Sequence, residues 1–449
     1  MPTDKETEQA GPSSGGSPIL VLPSEITTEI FTYCVPDALD SIGRPDVNAA
    51  PLLLGHVCSS WRNIAAGSPE LWKVLKIDSS DIPITLIETW LSRAQALPLS
   101  LELKARDYDW DEDDEWDTTS VIPILKRHSL TWGEVTLVLP LQQLYLFGSD
   151  LPLPLLKSLT IYTDSFPAGG QSCATFRNAS ALRQLTLRHA VHPALLQLPW
   201  TQLTSLDCAR PSSQEELLTI LQHTPNLVNC VVVINLESDH LPYVAPLAFL
   251  RSLSLETHIP RTLDILDHIS VPALEVLNLA NIFFGGRVLV SNLRRSLSQH
   301  NYRLRILYIR IDEDGPREED FIQLLETQPT LEELYLTEGS LDLLIAVFRR
   351  LSDGSPFLPC LRDLACSPPI PVPEITTKFS ATLDALGNAL ATRWNAPPES
   401  FAPIRHCNLV WYAEVSEDLD NIVAAFRPRQ AQLVALGINV SVDWDDWND

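Results

Sequence analysis

Residues 304–309 read Leu-Arg-Ile-Leu-Tyr-Ile and residues 331–336 read Leu-Glu-Glu-Leu-Tyr-Leu, so one pattern, Leu-x-x-Leu-x-Leu, returns after 27 positions. Its last two apolar residues stand two apart, the alternation of a strand that buries one face. The pattern also stands at Leu156/Leu159/Ile161, Leu182/Leu185/Leu187, Leu203/Leu206/Cys208, Leu227/Cys230/Val232, Leu250/Leu253/Leu255 and Leu274/Leu277/Leu279. Weaker copies are Leu361/Leu364/Cys366 and Ile404/Cys407/Leu409, and Trp132/Val135/Leu137 is an earlier one. From Leu156 to Ile404 the first positions are separated by 26, 21, 24, 23, 24, 30, 27, 30 and 43 residues. A recurrence of that size marks stacked supersecondary units. Pro154, Pro225, Pro272, Pro329 and Pro359 each stand two residues before the first leucine of a copy. A proline there ends a preceding helix and holds its own predecessor extended.

Helical patterns fill several intervals. Ser213 and Glu216 have capping-box spacing and open a helix that buries Leu217, Ile220 and Leu221. Residues 317–329 put acids in a first turn and Phe321, Leu324 and Leu325 on one face, and Leu341, Leu344, Val347, Phe348 and Leu351 repeat the pattern. A strand and a helix that cannot bury their apolar sides alone stack into a solenoid. The expected fold is therefore α/β, with parallel strands on a concave face and helices on a convex one. The units resemble degenerate leucine-rich repeats, since the Asn or Cys that such repeats carry three residues after the last leucine is mostly absent. Side chains alternate along a strand, so Thr160, Thr186, Asp207, Val231, Ser254, Asn278, Tyr308, Tyr335, Ala365 and Asn408 are expected to line the face opposite the leucines. Tyr308 and Tyr335, on adjacent units, are candidates for an aromatic patch that binds a substrate protein, flanked by Arg305, Arg310, Glu332 and Glu333.

The amino end follows different rules. Leu22 and Pro23 precede Ile26, Ile30 and Phe31 at helical spacing, and Pro23 suits a helix start. After an insert at 36–50, Leu53, Leu54, Val57 and Cys58 lead to Trp61, Ile64 and Ala65, with Gly67-Ser68-Pro69 as a stop before Leu71-Trp72. Three short helices cannot enclose that many large apolar side chains, and surplus apolar surface signals a partner. The stretches LPSEITTEIF (22–31) and APLLLGHVCSSWRNIAAGSPELWKVL (50–75) resemble the F-box, in the Val-Cys-x-x-Trp-Arg and Pro-Glu-Leu-Trp version of the large fungal families. The resemblance implies a three-helix domain that docks a substrate receptor onto the Skp1 adaptor of a cullin–RING ubiquitin ligase. It assigns Skp1 binding to Leu22, Pro23, Ile26, Ile30, Val57 and Trp61.

The expected organisation is a disordered tail at 1–17, the F-box-like domain at 18–77, and the repeat domain at 78–449. The repeat domain carries an acidic, aromatic loop at 106–117 and a proline-rich insertion at 367–403 around a helix near Leu383 to Leu390. The acidic, aromatic residues at the carboxyl end suit a frayed tail or a cap.

A net charge of −25 argues against nucleic acid and against an anionic membrane surface, both of which need clustered Lys and Arg. None of the eight cysteines forms Cys-x-x-Cys, and most lie in apolar runs, which suits reduced, buried thiols. No secretion signal or bilayer-length apolar run is legible, so a cytoplasmic or nuclear protein is expected.

Catalytic motifs are wanting: there is no Gly-x-Ser-x-Gly, no phosphate loop and no His-Glu-x-x-His to follow His189 and His192. The expectation is a non-enzyme without cofactor or metal. By resemblance it is the substrate receptor of a Skp1–cullin–F-box ligase, recruiting an unknown protein target. The alternative is a repeat scaffold whose helical start is only a cap. A cap would bury Ile26, Ile30 and Trp61.

Overall fold

The computed structural model describes residues 22–35, 44–105, 116–163, 172–188, 195–208, 213–234, 236–238, 241, 244–257, 265–279, 286–300, 302–310, 316–337, 340–367, 376–397, 401–412, 417–435 and 437–445. The chain divides into two compact units. The first runs to Phe147 and takes in Leu151–Leu156; the second comprises Gly148–Asp150 and everything from Lys157.

Among the described residues of the first unit, helices α1 (Ser24–Thr32), α2 (Leu54–Val57) and α3 (Ser59–Gly67) precede three parallel strands. These are β1 (Val74–Ile77), β2 (Leu99–Lys104) and β3 (Trp132–Val138), paired in sequence order. Between them lie α4 (Ile84–Ala94) and α5 (Ile122–Arg127), and a single turn, α6 (Leu141–Leu144), follows β3. As its spacing predicts, α4 buries Ile87, Trp90 and Leu91. The helical start is fastened to the strands by Trp72. Its indole Nε1 donates to Ala65 O of α3 at 2.7 Å, its ring meets Trp90 edge-on at 4.9 Å, and the Arg93 guanidinium covers it at 4.5 Å. Trp90 Nε1 in turn donates to Val74 O at 3.0 Å.

The second unit holds, among the described residues, eleven parallel strands, each paired with the next in the sequence. They are β4 (Ser158–Tyr162), β5 (Gln184–Arg188), β6 (Ser205–Cys208), β7 (Asn229–Ile234), β8 (Ser252–Thr257), β9 (Val276–Leu279), β10 (Ile306–Arg310), β11 (Glu333–Thr337), β12 (Asp363–Ser367), β13 (His406–Tyr412) and β14 (Asn439–Asp445). Every copy of the six-residue pattern from Leu156 to Ile404 supplies one of β4 to β13. Their paired apolar side chains are buried, Leu307, Leu334 and Ile309 at 0% exposure.

Among the described residues, a helix does not form in every unit: α7 (Gln214–His223), α8 (Gly286–His300), α9 (Glu318–Glu326), α10 (Leu341–Ser352), α11 (Thr376–Asn395) and α12 (Glu417–Ala435) precede β7 and β10 to β14. The described parts of the other connections are turns and short 3-10 segments. Prolines 167, 193, 199, 242, 246 and 260 punctuate those connections, whereas the one that forms α7 keeps its prolines outside the helix. The cap read at Ser213 forms, its Oγ accepting from Glu216 N at 3.2 Å, and α10 has a serine cap that was not singled out, Ser340 Oγ accepting from Leu343 N at 3.3 Å.

The helix expected near Leu383 to Leu390 in the proline-rich segment forms as α11, which is 20 residues long, packs on α10 and buries Leu383, Leu386, Ala389 and Leu390. At the carboxyl end, β14, a strand that no copy of the pattern announces, pairs with β13 over seven residues, from His406↔Asn439 to Tyr412↔Asp445. It takes in the first three residues of the acidic stretch 443–449, whose remainder lies outside the described residues. The strand is invisible as a Leu-x-x-Leu-x-Leu because Gly437, Val440 and Val442 stand at its three positions. The tail at 1–17, the core of the acidic loop at 106–115, and His189 and His192 lie outside the described residues.

Candidate functional site

Helix α1 has two faces. Thr27 and Phe31 turn inward: Phe31 is 1% exposed and meets Trp61 of α3 edge-on at 4.9 Å. Thr27 Oγ1 donates to Pro23 O at 3.1 Å, and the Thr28 and Ser68 hydroxyls lie 3.0 Å apart. Ile26 and Ile30, four residues apart and therefore on one side, are 50% and 39% exposed. The sequence grouped Phe31 with them, but a 100° rotation per residue separates Ile30 from Phe31 and sends only the latter into the core.

Leu22 is 38% exposed, Val57 is 57% exposed, and Pro23 is also exposed. Trp61, the sixth candidate, is half-buried, with its Nε1 shut away from solvent among the helices. Five of the six expected docking residues thus present apolar surface, and the sixth helps to hold α1 on α3. Leu53 and Tyr33 extend the exposed apolar set and were not singled out. Their signal is positional: Tyr33 follows Ile26 and Ile30 at i+7 and i+3.

In the second unit the candidate face is the side of the sheet opposite the leucines. Strand pairing puts Thr160, Thr186, Asp207, Val231, Ser254, Asn278, Tyr308, Tyr335, Ala365 and Asn408 in one unbroken row across β4 to β13. Ser441 continues it on β14. Tyr308 and Tyr335 stack with centroids 4.1 Å apart and planes at 13°. Tyr335 donates its phenolic hydrogen to Glu333 Oε2 at 3.0 Å. Burial first, then the neighbouring Glu333 carboxylate and Tyr308, push the Tyr335 hydroxyl well above the usual phenol range.

The flanking arginines behave differently. Arg305 belongs to a charge ladder that precedes the strands: Arg251 to Glu275 at 3.1 Å, Glu275 to Arg305 at 3.8 Å, and Arg305 to Glu332 at 2.9 Å. The Arg305 hydrogen bonds hold the Glu332 carboxyl below its ordinary value. This residue therefore ties successive units together. Arg310 is half-buried on the same strand face as Tyr308, opposite Thr337 of β11.

A second polar group on the row was not anticipated. Arg188 Nη2 lies 2.8 Å from Asp207 Oδ2, and Asp207 Oδ1 is buried with no hydrogen-bond partner. Burial raises the Asp207 carboxyl from its usual value in spite of Arg188. Sequence spacing could have suggested the pair, because Arg188 ends β5 while Asp207 sits mid-strand on β6.

Chemistry is sparse elsewhere. Among the described residues, no group of three or more His, Cys, Asp or Glu could hold a metal ion. No helix of the described residues is long and apolar enough to cross a membrane. A hollow of about 480 Å³ in the first unit is lined by Thr119, Ile122, Pro123, Lys126, Arg127, Leu146 and Leu151. Its cations are engaged, Lys126 with Leu146 O and Arg127 with Glu88. All eight cysteines are free; Cys173, Cys208, Cys230, Cys366 and Cys407 are buried, and burial drives the Cys407 thiol up to about 12, far from reactivity. No family model and no curated protein matches this sequence.

Proposed function

We propose that the chain is a substrate receptor of a Skp1–cullin–F-box ubiquitin ligase: the helical start binds a Skp1-like adaptor and the open sheet face of the second unit holds a protein target. The observation that carries this reading is the outward set of Leu22, Ile26, Ile30 and Val57. A helical cap is expected to bury Ile26, Ile30 and Trp61. Trp61 is half-buried, but Ile26 and Ile30 stay in water, and large apolar groups left in water on one small helical module support a docking face. The mechanism is proximity. The receptor raises the local concentration of its target beside a ubiquitin-charged enzyme and contributes no catalytic group.

The test is the double substitution Leu22→Ala, Pro23→Ala. Both side chains are exposed, and the Pro23 carbonyl that Thr27 uses survives in alanine. The melting temperature should be unchanged while capture of purified Skp1 falls by at least about tenfold, as expected when a central apolar anchor is lost. Capture equal to wild type would reject the adaptor assignment.

A further inference from the structure

The geometry points to a seat for an arginine side chain of an extended protein segment, at Ala365, beside the outer face of Tyr335. This inference rests on reading the second unit as the target-binding part, and it names what that part recognises.

The row that crosses the sheet runs Tyr308, Tyr335, Ala365, Asn408. The stacked tyrosines cover each other's facing sides. The other side of Tyr335 looks toward β12, where the residue in register is an alanine whose methyl is too short to reach the ring. The next side chain, Asn408, stands two strand spacings from Tyr335, about 9.6 Å. A slot one strand wide therefore opens against an aromatic face. Its entry side is acidic: Glu333 and Asp363 are in register on β11 and β12, and Glu333 is held at the ring edge by the Tyr335 hydroxyl.

A planar guanidinium fits both walls. It stacks on the ring and donates to the carboxylates through its edge. An acidic side chain would meet Glu333 and Asp363 on a chain of net charge −25. An aliphatic one would strip water from those carboxylates without replacing it.

The test uses fluorescein-labelled hexa-arginine, hexa-lysine and hexa-glutamate peptides with the full chain, read by anisotropy at about 150 mM salt to damp diffuse attraction. Hexa-arginine should bind, hexa-lysine more weakly, and hexa-glutamate not at all. Ala365→Phe, which fills the slot, should weaken hexa-arginine binding about tenfold, and Tyr335→Leu should do the same. Ser254→Phe, a remote position on the same row, should bind as wild type. Thermal melting checks the folding of each variant.

Undiminished binding by Ala365→Phe and Tyr335→Leu would overturn the proposal, as would an equal loss in Ser254→Phe or equal affinity for hexa-lysine. The adaptor assignment fails separately. Leu22→Ala, Pro23→Ala should retain hexa-arginine binding, and Ala365→Phe should retain Skp1 capture.

Discussion

Arg393 shows how much a single side chain can demand of its surroundings. Only 2% exposed, it donates to three backbone carbonyls, of Leu351, Phe357 and Leu358, and its guanidinium lies 4.3 Å over the Phe401 ring. Burial lowers its pKa to about 10, opposed by Asp353, so it stays charged at neutral pH. Leu351 lies in the last turn of α10, where carbonyls lose their helical partners, and Leu358 O also accepts from Leu361 N at 3.2 Å. Arg393→Ala is expected to cost about 2–4 kcal/mol, from lost packing and unsatisfied acceptors, measured by urea denaturation.

Asp207 carries the pH dependence. Its folded pKa is raised above the unfolded value of 3.8, so the folded state binds more protons than the unfolded one just above that value. Its contribution is therefore most favourable below pH 3.8 and declines as pH rises through the folded pKa. Asp207→Asn should flatten that part of the stability–pH curve, and an unchanged curve would mean that burial does not perturb this carboxyl.

At the scale of elements, the amino-terminal helices depend on one rivet. Trp72 links α3 to α4 through a buried hydrogen bond, an edge-on ring contact and the Arg93 stack. Trp72→Ala should destabilise the first unit by about 3–5 kcal/mol and loosen α3. Hydrogen exchange should show faster exchange across Ser59–Gly67. Faster exchange confined to the loop around Trp72 would show that α3 stands by its own contacts. The two faces of α1 make the same point in reverse: Phe31 is buried in internal packing, whereas Ile26 and Ile30 keep much of their apolar surface in water.

At the scale of the whole molecule, the second unit is a one-dimensional stack in which each strand touches its sequence neighbours. Stability in such an array is a sum of unit terms and neighbour interfaces. Leu307→Ala, in a strand with two partners, is expected to cost about 2–5 kcal/mol and to broaden the denaturation profile rather than shift it intact. A sharp, displaced transition would show that the unit unfolds as one block.

Most of this stack was legible from residues alone. Leu-x-x-Leu-x-Leu determined ten strands of the second unit, their parallel order and the row of side chains opposite the leucines, because a period of two fixes which side chain faces which way. The Ser213 cap and the acidic first turn of α9 were legible from local sequence. What spacing could not supply was set by contacts between segments far apart in sequence. They put Phe31 inward and Ile26 outward, drew Arg305 into a ladder with Glu275 and Glu332, made β14 a strand by pairing it to β13, and opened a slot at Ala365. A repeating pattern specifies the side on which a residue lies. Which neighbour reaches it, and how much of it remains in water, depends on side-chain lengths that meet only once the units are stacked.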